Sequence, residues 1–427
     1  MIPMLDKYLH IIGKINYYLF IVAVCALPYP MHFVTYTWVA WLVTWALEGR
    51  MLQIKHMQWK KGIIPIICLL VWVIWEIISR LWAIDQSYVA EHISRHISFI
   101  LIVPIAICGV NKNYNWTTII KWFIISCVAS IFIYATYIYI VRCWTYILEH
   151  HQLPKYIQTW RYFGDYISYL KHRLYYGTVL NIGIIALLQT RGALLADKRK
   201  YKTKYVFFYV ILFILVLGVI WSSSRANMLT LLVVCAVAII QPLKGRTRNL
   251  VTALVTIHGI IICTLLFSLH PRFEQIKFGN IIGHITEEKV DDTTNIEPRI
   301  NIWSIAITNY EDYVWHGVGA GGDTEYLKRL YDSQNWNKYY AKQYNAHNQY
   351  LAVFINLGIF AVILFIFIWL FYPLWYQGRL RQTAALISLT FGLNMLSENM
   401  FDRVDGIIIA SLTMLSIVLI SRVQHEE

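Results

Sequence analysis

The stretch QYLAVFINLGIFAVILFIFIWLFYP, residues 349–373, contains no Asp, Glu, Lys or Arg. A helix rises about 1.5 Å per residue, so this run is long enough to cross the roughly 30 Å hydrocarbon layer of a bilayer. Working outward from it, comparable apolar windows lie at 15–30, 33–47, 62–82, 97–110, 117–141, 173–190, 205–221, 226–241, 250–268, 383–397 and 405–421. Several are shorter than a full crossing, which suits tilted or re-entrant helices around a cavity. Of the 427 residues 58% are hydrophobic and only 14% charged, where a soluble chain carries about a quarter charged. The expected fold is therefore all-α: a polytopic membrane protein of about 12 transmembrane helices. A soluble enzyme with one anchor, a disordered chain and a disulfide-stapled domain are excluded, and the seven cysteines lie in or beside apolar runs. Lys7 and Lys14 ahead of the first run give it the look of a signal peptide, but a second run follows at once, so an uncleaved first span is expected.

Charge sets the expected topology. The loops at 49–61, 111–116, 191–204, 242–249 and 374–382 hold 16 Lys or Arg against one acid, Asp197. The positive-inside rule puts them, and both termini, in the cytoplasm. The loops at 83–96, 142–172 and 269–348 then face outward. Residues 270–347 carry 8 basic and 11 acidic side chains within a chain of net charge +13. The basicity is thus topology charge, and no nucleic-acid partner is implied. Three segments follow: spans one to nine in 1–268, a large, partly helical external loop, catalytic or binding, in 269–348, and spans ten to twelve in 349–427. A cysteine placed at Asp323 is expected to react from the outside. There is no internal repeat, and the insertion lies between spans nine and ten. A transporter built of two related halves divides between six and seven.

Four polar clusters interrupt the apolar pattern, all on the expected outer side. Trp221-Ser222-Ser223-Ser224-Arg225-Ala226-Asn227 links two spans; serines cap helix starts, and a helix start with an adjacent Arg makes an anion site. The alternative is a capped turn whose Arg225 meets lipid phosphates. Glu297-Pro298-Arg299-Ile300-Asn301-Ile302-Trp303 reads as a helix start with Arg299 and Trp303 on one face. It leads to Gly317-Val318-Gly319-Ala320-Gly321-Gly322, either a phosphate cradle or a flexible turn; without a following Lys-Ser/Thr it is no nucleotide loop. Asn345-Ala346-His347-Asn348-Gln349-Tyr350-Leu351 opens the tenth span with either a base or a satisfied interfacial histidine. Ser397-Glu398-Asn399-Met400-Phe401-Asp402-Arg403-Val404-Asp405-Gly406 joins the last two spans, where a salt-bridged turn is the plain alternative.

Taken in order, the Ser-x-Ser-Arg turn, the Arg-x-x-x-Trp helix leading to Gly-Val-Gly, and the Ala-His-Asn-x-Tyr-Leu opening resemble the O-antigen ligase and O-antigen polymerase superfamily of bacterial envelope glycosyltransferases. The resemblance is strong over 205–365 and weaker at His172-Arg173-Leu174-Tyr175-Tyr176 and at Glu398 to Gly406.

The resemblance implies transfer of a glycan from undecaprenyl diphosphate to a sugar hydroxyl on the periplasmic face of the bacterial inner membrane. Arg225 and Arg299 match the positions that hold diphosphate, where a planar guanidinium makes two parallel bonds. His347 matches the general base, a role suited to an imidazole titrating near neutrality. Further substrate contacts are expected from Ser224, Trp303, Gly319, Asn348 and Tyr350 within the motifs, and from Tyr176, Glu398 and Arg403 in the weaker stretches. Arg95 and His172, which sit among aromatics at the interface, complete the set; the alternative for both is an ordinary interfacial belt. No Asp-x-Asp pair and no His/Glu set at metal spacing is evident, so the expectation is metal-independent, cofactor-free transfer with inversion. The leading expectation is an O-antigen ligase with a lipid A core acceptor, set among membrane lipids. The alternatives are a polymerase joining carrier-linked repeats and, from another class, a lipid or polysaccharide transporter. The span interiors are nearly free of charge, with Glu76 and Arg80 the main exceptions, which argues against the transporter.

Overall fold

The computed structural model describes residues 2–50, 64–111, 113–153, 167–195, 201–240, 244–269, 298–371 and 380–426, and contains no β-strand among them. Glu297, the loop segment 270–297 and most of the basic loops lie outside the described residues. The first six helices are α1 (Ile2–Ala26), α2 (Met31–Leu47), α3 (Ile64–Ser79), α4 (Val89–Cys108), α5 (Trp116–Thr136) and α6 (Cys143–His150). Then come α7 (Arg173–Leu195), α8 (Tyr201–Trp221), α9 (Arg225–Ile240) and α10 (Gly245–Leu269). Three short helices, α11 (Pro298–Thr308), α12 (Asp323–Ser333) and α13 (Asn337–Lys342), precede α14 (Gln349–Ile366), α15 (Arg381–Met395) and α16 (Val404–Glu426).

Each of the twelve apolar windows contains helix where it is described, and among the described residues seven helical stretches are long and apolar enough to cross a membrane: Lys7–Ala26, Ile64–Trp82, Val89–Cys108, Trp116–His150, Thr203–Trp221, Gln349–Leu370 and Val404–Ser421. Among the described residues, seven helices thus meet the length and composition of a span, which supports a polytopic helical membrane protein without fixing the number of crossings at twelve. Helix α7 shows one physical reason. It packs against α5, α8, α9 and α15, and Thr178 and Asn181 on it are fully buried. A helix walled by protein can carry polar groups that a lipid-facing helix cannot.

The described part of the long loop, from α11 to α13, has its own core of Ile302, Tyr313, Tyr326, Leu327, Tyr331, Trp336 and Tyr339, packed on Leu351 and Ile355 at the start of α14. Helix α12 buries Asp323, Tyr326, Leu327 and Tyr331, the three- and four-residue spacing of an amphipathic helix. Asp323 is only 2% exposed. The loop-surface cysteine expected there is therefore misplaced, and exposed Gln334 takes its place as a reporter.

The glycine run is packed into a break in helix α14. Helix α14 breaks at Gly358, φ +78°, and the segment 314–319 threads the break. Val318 N–H donates to the Ile355 carbonyl at 2.8 Å, Gly319 N–H to Asn356 at 2.9 Å, and Ile359 N–H to Val314 at 2.8 Å. The amides of Gly317, Val318, Gly319 and Gly322 are spent on backbone carbonyls and that of Ala320 on Ser79 Oγ, which satisfies backbone groups at the helix break. A Cβ on Gly317 would stand 2.2 Å from the Asn356 carbonyl oxygen, and one on Gly319 2.2 Å from Ala83 Cα. The glycines allow two backbones to touch.

Candidate active site

Three arginines start helices that converge: Arg173 opens α7, Arg225 opens α9, and Arg299 is the second residue of α11. Arg173 lies within electrostatic reach of Arg225, Arg299 and Glu398. Each helix N-terminus adds partial positive charge, so the centre suits an anion. The turn into α9 is fixed by Asn227. Its side-chain amide donates to the Leu174 carbonyl at 2.8 Å and to Ser224 Oγ at 3.0 Å. Its side-chain oxygen accepts from Asn181 at 3.1 Å and from Asn394 at 3.2 Å. One asparagine thus ties α7, α9 and α15 beneath Arg225. Gly177 leaves room for it, since a Cβ there would sit 2.7 Å from the Asn227 amide nitrogen. Ser223 takes φ +53°, a conformation a β-substituted residue adopts at some cost.

His347 has the same left-handed backbone, φ +45°, and is held there from three sides. Its N–H donates to Asn345 Oδ1 at 3.1 Å, the next N–H, of Asn348, donates to Asn399 Oδ1 at 2.8 Å, and Trp303 Nε1–H donates to the Ala346 carbonyl at 2.8 Å. Arg299 and Trp303 do lie one turn apart, but Trp303 acts by pinning the histidine turn to α11. The His347 Nδ1 stands 3.5 Å from Glu398 Oε1, with Glu398 16% exposed. Burial works to raise the Glu398 carboxyl, yet His347, His172 and Arg299 outweigh it and hold the group below the usual carboxylate range. Glu398 is therefore an anion facing one imidazole nitrogen, which turns Nε2 away from it.

The remaining expected site residues separate into those at this centre and those away from it. His172 adjoins it electrostatically; burial first, with Arg403 and Arg173 adding to it, lowers its pKa to about 4, so the ring is neutral. Arg403 is exposed on the neighbouring turn. Asn348 caps α14, its side chain accepting from the N–H groups of Tyr350 and Leu351, while Tyr350 O–H donates to the Gly392 carbonyl at 3.2 Å. Ser224 is buried against Asn227. Tyr176 is fully buried in the core, its hydroxyl 3.2 Å from Ser130 Oγ. Gly319 is spent in the α14 junction. Arg95 is engaged by Tyr88 at 2.6 Å, the Asp402 carbonyl at 2.8 Å and Glu91. Sequence reasoning passed over Arg173, though it stood in a quoted stretch. A basic residue opening a helix was the signal, as at Arg225. It also missed a His/Glu set at ligating distance: Glu76, His92 and His96 bring their donor atoms within 4.8 Å of one another.

Beneath the histidine turn, Asn399 links two acids, its amide 2.8 Å from Asp402 Oδ2 and 3.5 Å from Asp323 Oδ2. Burial, then the Asp402 charge, pushes the Asp323 carboxyl up to about 7, far above the ordinary value near 4. The folded state thus keeps a proton that the unfolded chain releases. This stability is complete below the ordinary value and is lost as pH rises through the folded one. Asp323→Asn is expected to flatten the fall in melting temperature between about pH 5 and pH 8. Identical pH profiles for variant and parent would relieve Asp323 of that role.

The molecule is thus a multi-pass helical membrane protein in which a folded loop sets a histidine–carboxylate pair near a cluster of arginines. Residues 210–366 match the family described as O-antigen ligase. That match, over 157 of the 427 residues, supports the O-antigen ligase and polymerase superfamily, and its limits fall within a few residues of the 205–365 stretch whose motifs resemble it. No curated protein matches the chain.

Proposed function

We propose that the protein is an O-antigen ligase of the bacterial inner membrane, moving polysaccharide from undecaprenyl diphosphate to a sugar hydroxyl of lipid A core on the periplasmic side. The observation that carries this reading is the meeting of Arg173, Arg225 and Arg299 with the His347–Glu398 pair. The acceptor hydroxyl gives its proton to His347 Nε2 as its oxygen attacks the anomeric carbon. The carbon–oxygen bond to the diphosphate breaks, and the diphosphate leaves with the electron pair. Attack opposite the leaving group inverts the anomeric centre. The arginines stabilise the charge that grows on the phosphate oxygens, and Glu398 steadies the imidazolium as it forms.

The donor's isoprenoid chain has a place beside this centre. A cavity of about 440 Å³ lies between α5 and α8, lined by Ile131, Phe132, Ile214, Leu217 and Trp221, and ends at Ser223. Ser223 is two residues from Arg225, so an apolar chain in this cavity delivers its headgroup to the arginines.

A polymerase of the same superfamily uses the same donor, and the acceptor separates the two. Deleting the gene and resolving lipopolysaccharide on gels is expected to show unsubstituted core while carrier-linked long chains accumulate. Core bearing a single repeat would assign the polymerase reaction instead. Reconstituted protein that moved a labelled carrier lipid between leaflets without transferring glycan would favour a transporter. For topology, Gln334→Cys, in a background with the native thiols replaced, is expected to react with an impermeant thiol reagent once the outer membrane is opened. Reaction only after lysis would move the whole centre to the cytoplasmic side.

A further inference from the structure

Glu76 on α3 and His92 and His96 on α4 are buried together, with exposures of 0%, 6% and 2%. Glu76 Oε1 stands 2.6 Å from His96 Nδ1 and 3.3 Å from His92 Nε2. On its far side, His96 Nε2 is 3.1 Å from the Phe401 carbonyl oxygen. A carbonyl only accepts, so Nε2 carries hydrogen, and in the neutral ring Nδ1 then turns a lone pair toward the carboxylate. Two lone-pair donors that close, away from water, need either a proton or a metal ion between them. The second carboxylate oxygen, Glu76 Oε2, is also buried and has no hydrogen-bond partner among the described residues. Protons on the two rings would satisfy Oε1 alone, whereas a metal ion can take both oxygens.

We propose that Glu76, His92 and His96 form a binding site for a transition-metal dication of the zinc class. Two imidazoles one helical turn apart and a carboxylate from the neighbouring helix are a borderline-soft donor set of the kind zinc takes. The Nε2–H contact to the Phe401 carbonyl is the outer contact that orients a metal-bound imidazole. The role is structural. The ion joins α3 and α4 to the 3₁₀ turn Met400–Asp402 through Phe401, next to Glu398 and Asn399, which meet the histidine turn. The ion takes no part in the transfer step, and the proposal stands whether the protein is a ligase or a polymerase.

The test uses full-length protein in detergent, purified through a histidine-free tag, stripped with a chelator and titrated with Co²⁺ and then Zn²⁺. One equivalent of Co²⁺ is expected, with visible d–d absorption that Zn²⁺ abolishes and a melting temperature that rises with metal concentration. His92→Gln and His96→Gln are expected to lose that equivalent, while a double His150→Gln, His151→Gln variant at the exposed end of α6 keeps it. Should the buried variants fail to fold, the zinc-edge X-ray absorption spectrum of the parent protein decides, two imidazole shells being expected. Absence of stoichiometric binding by the parent, retention by folded His92→Gln and His96→Gln, or a metal shell without imidazole would overturn the site.

Discussion

Replacing His347 with Ala is expected to slow glycan transfer by roughly 100-fold or more, the usual scale for a lost general base, while carrier binding persists. The attacking sugar hydroxyl is a poor nucleophile until its proton is removed, and His347 is the imidazole placed beside the arginine centre with a carboxylate behind it. Alanine also disturbs the backbone, because His347 holds φ +45°. His347→Asn is the better-folded control, since asparagine tolerates the left-handed region. Both variants should show the same loss if the proton is the cause. His347→Gln keeps a polar group near the acceptor without a comparable basicity. If purified His347→Gln protein transfers as fast as the parent, the histidine only positions the acceptor. Glu398→Gln is expected to fall between, because it removes the charge that steadies the imidazolium and leaves the ring in place. Initial rates with a synthetic carrier-linked donor, alongside binding of the carrier alone, separate these outcomes.

The membrane class was legible because a run such as 349–373 has no soluble explanation. The number of crossings was not, since hydropathy alone cannot tell a helix facing lipid from one such as α7 walled by other helices. The arginine and histidine motifs were legible because their neighbours in sequence are also their structural supports: Asn227 beneath Arg225, Asn345 and Asn348 around His347. What escaped were pairings between distant parts of the chain. Nothing local marks Gly317 as lying against Asn356, Gly319 against Ala83 or Gly358 against Trp315, because backbone-to-backbone contact needs an absent side chain rather than a particular one. Glu76 is 16 and 20 residues from the histidines it meets, so their convergence depends on how α3 packs on α4. Glu398 is expected from the sequence as a substrate contact, but its pairing with His347 depends on the fold.

Arg225→Ala and Arg299→Ala are each expected to cost transfer about 2 to 4 kcal/mol of transition-state stabilisation, by analogy with other preorganised donors. Lysine at either position keeps the charge and loses the planar fork, so it should restore part of the rate and not all. Arg173 brings a third guanidinium to the same centre, and Arg173→Ala should therefore resemble the other two. Three groups acting on one diphosphate are not independent. The Arg225→Ala, Arg299→Ala double variant should lose less than the sum of the single losses, because the first removal already disorders the anion that the second would hold. Arg329, more than half exposed on α12 and paired with Glu325, serves as the control whose replacement leaves the rate unchanged. Measuring kcat/KM across this set with one donor tests the arrangement. Strict additivity would mean that the arginines contact separate anions, and full activity in the single alanine variants would return Arg225 and Arg299 to the membrane interface as lipid anchors.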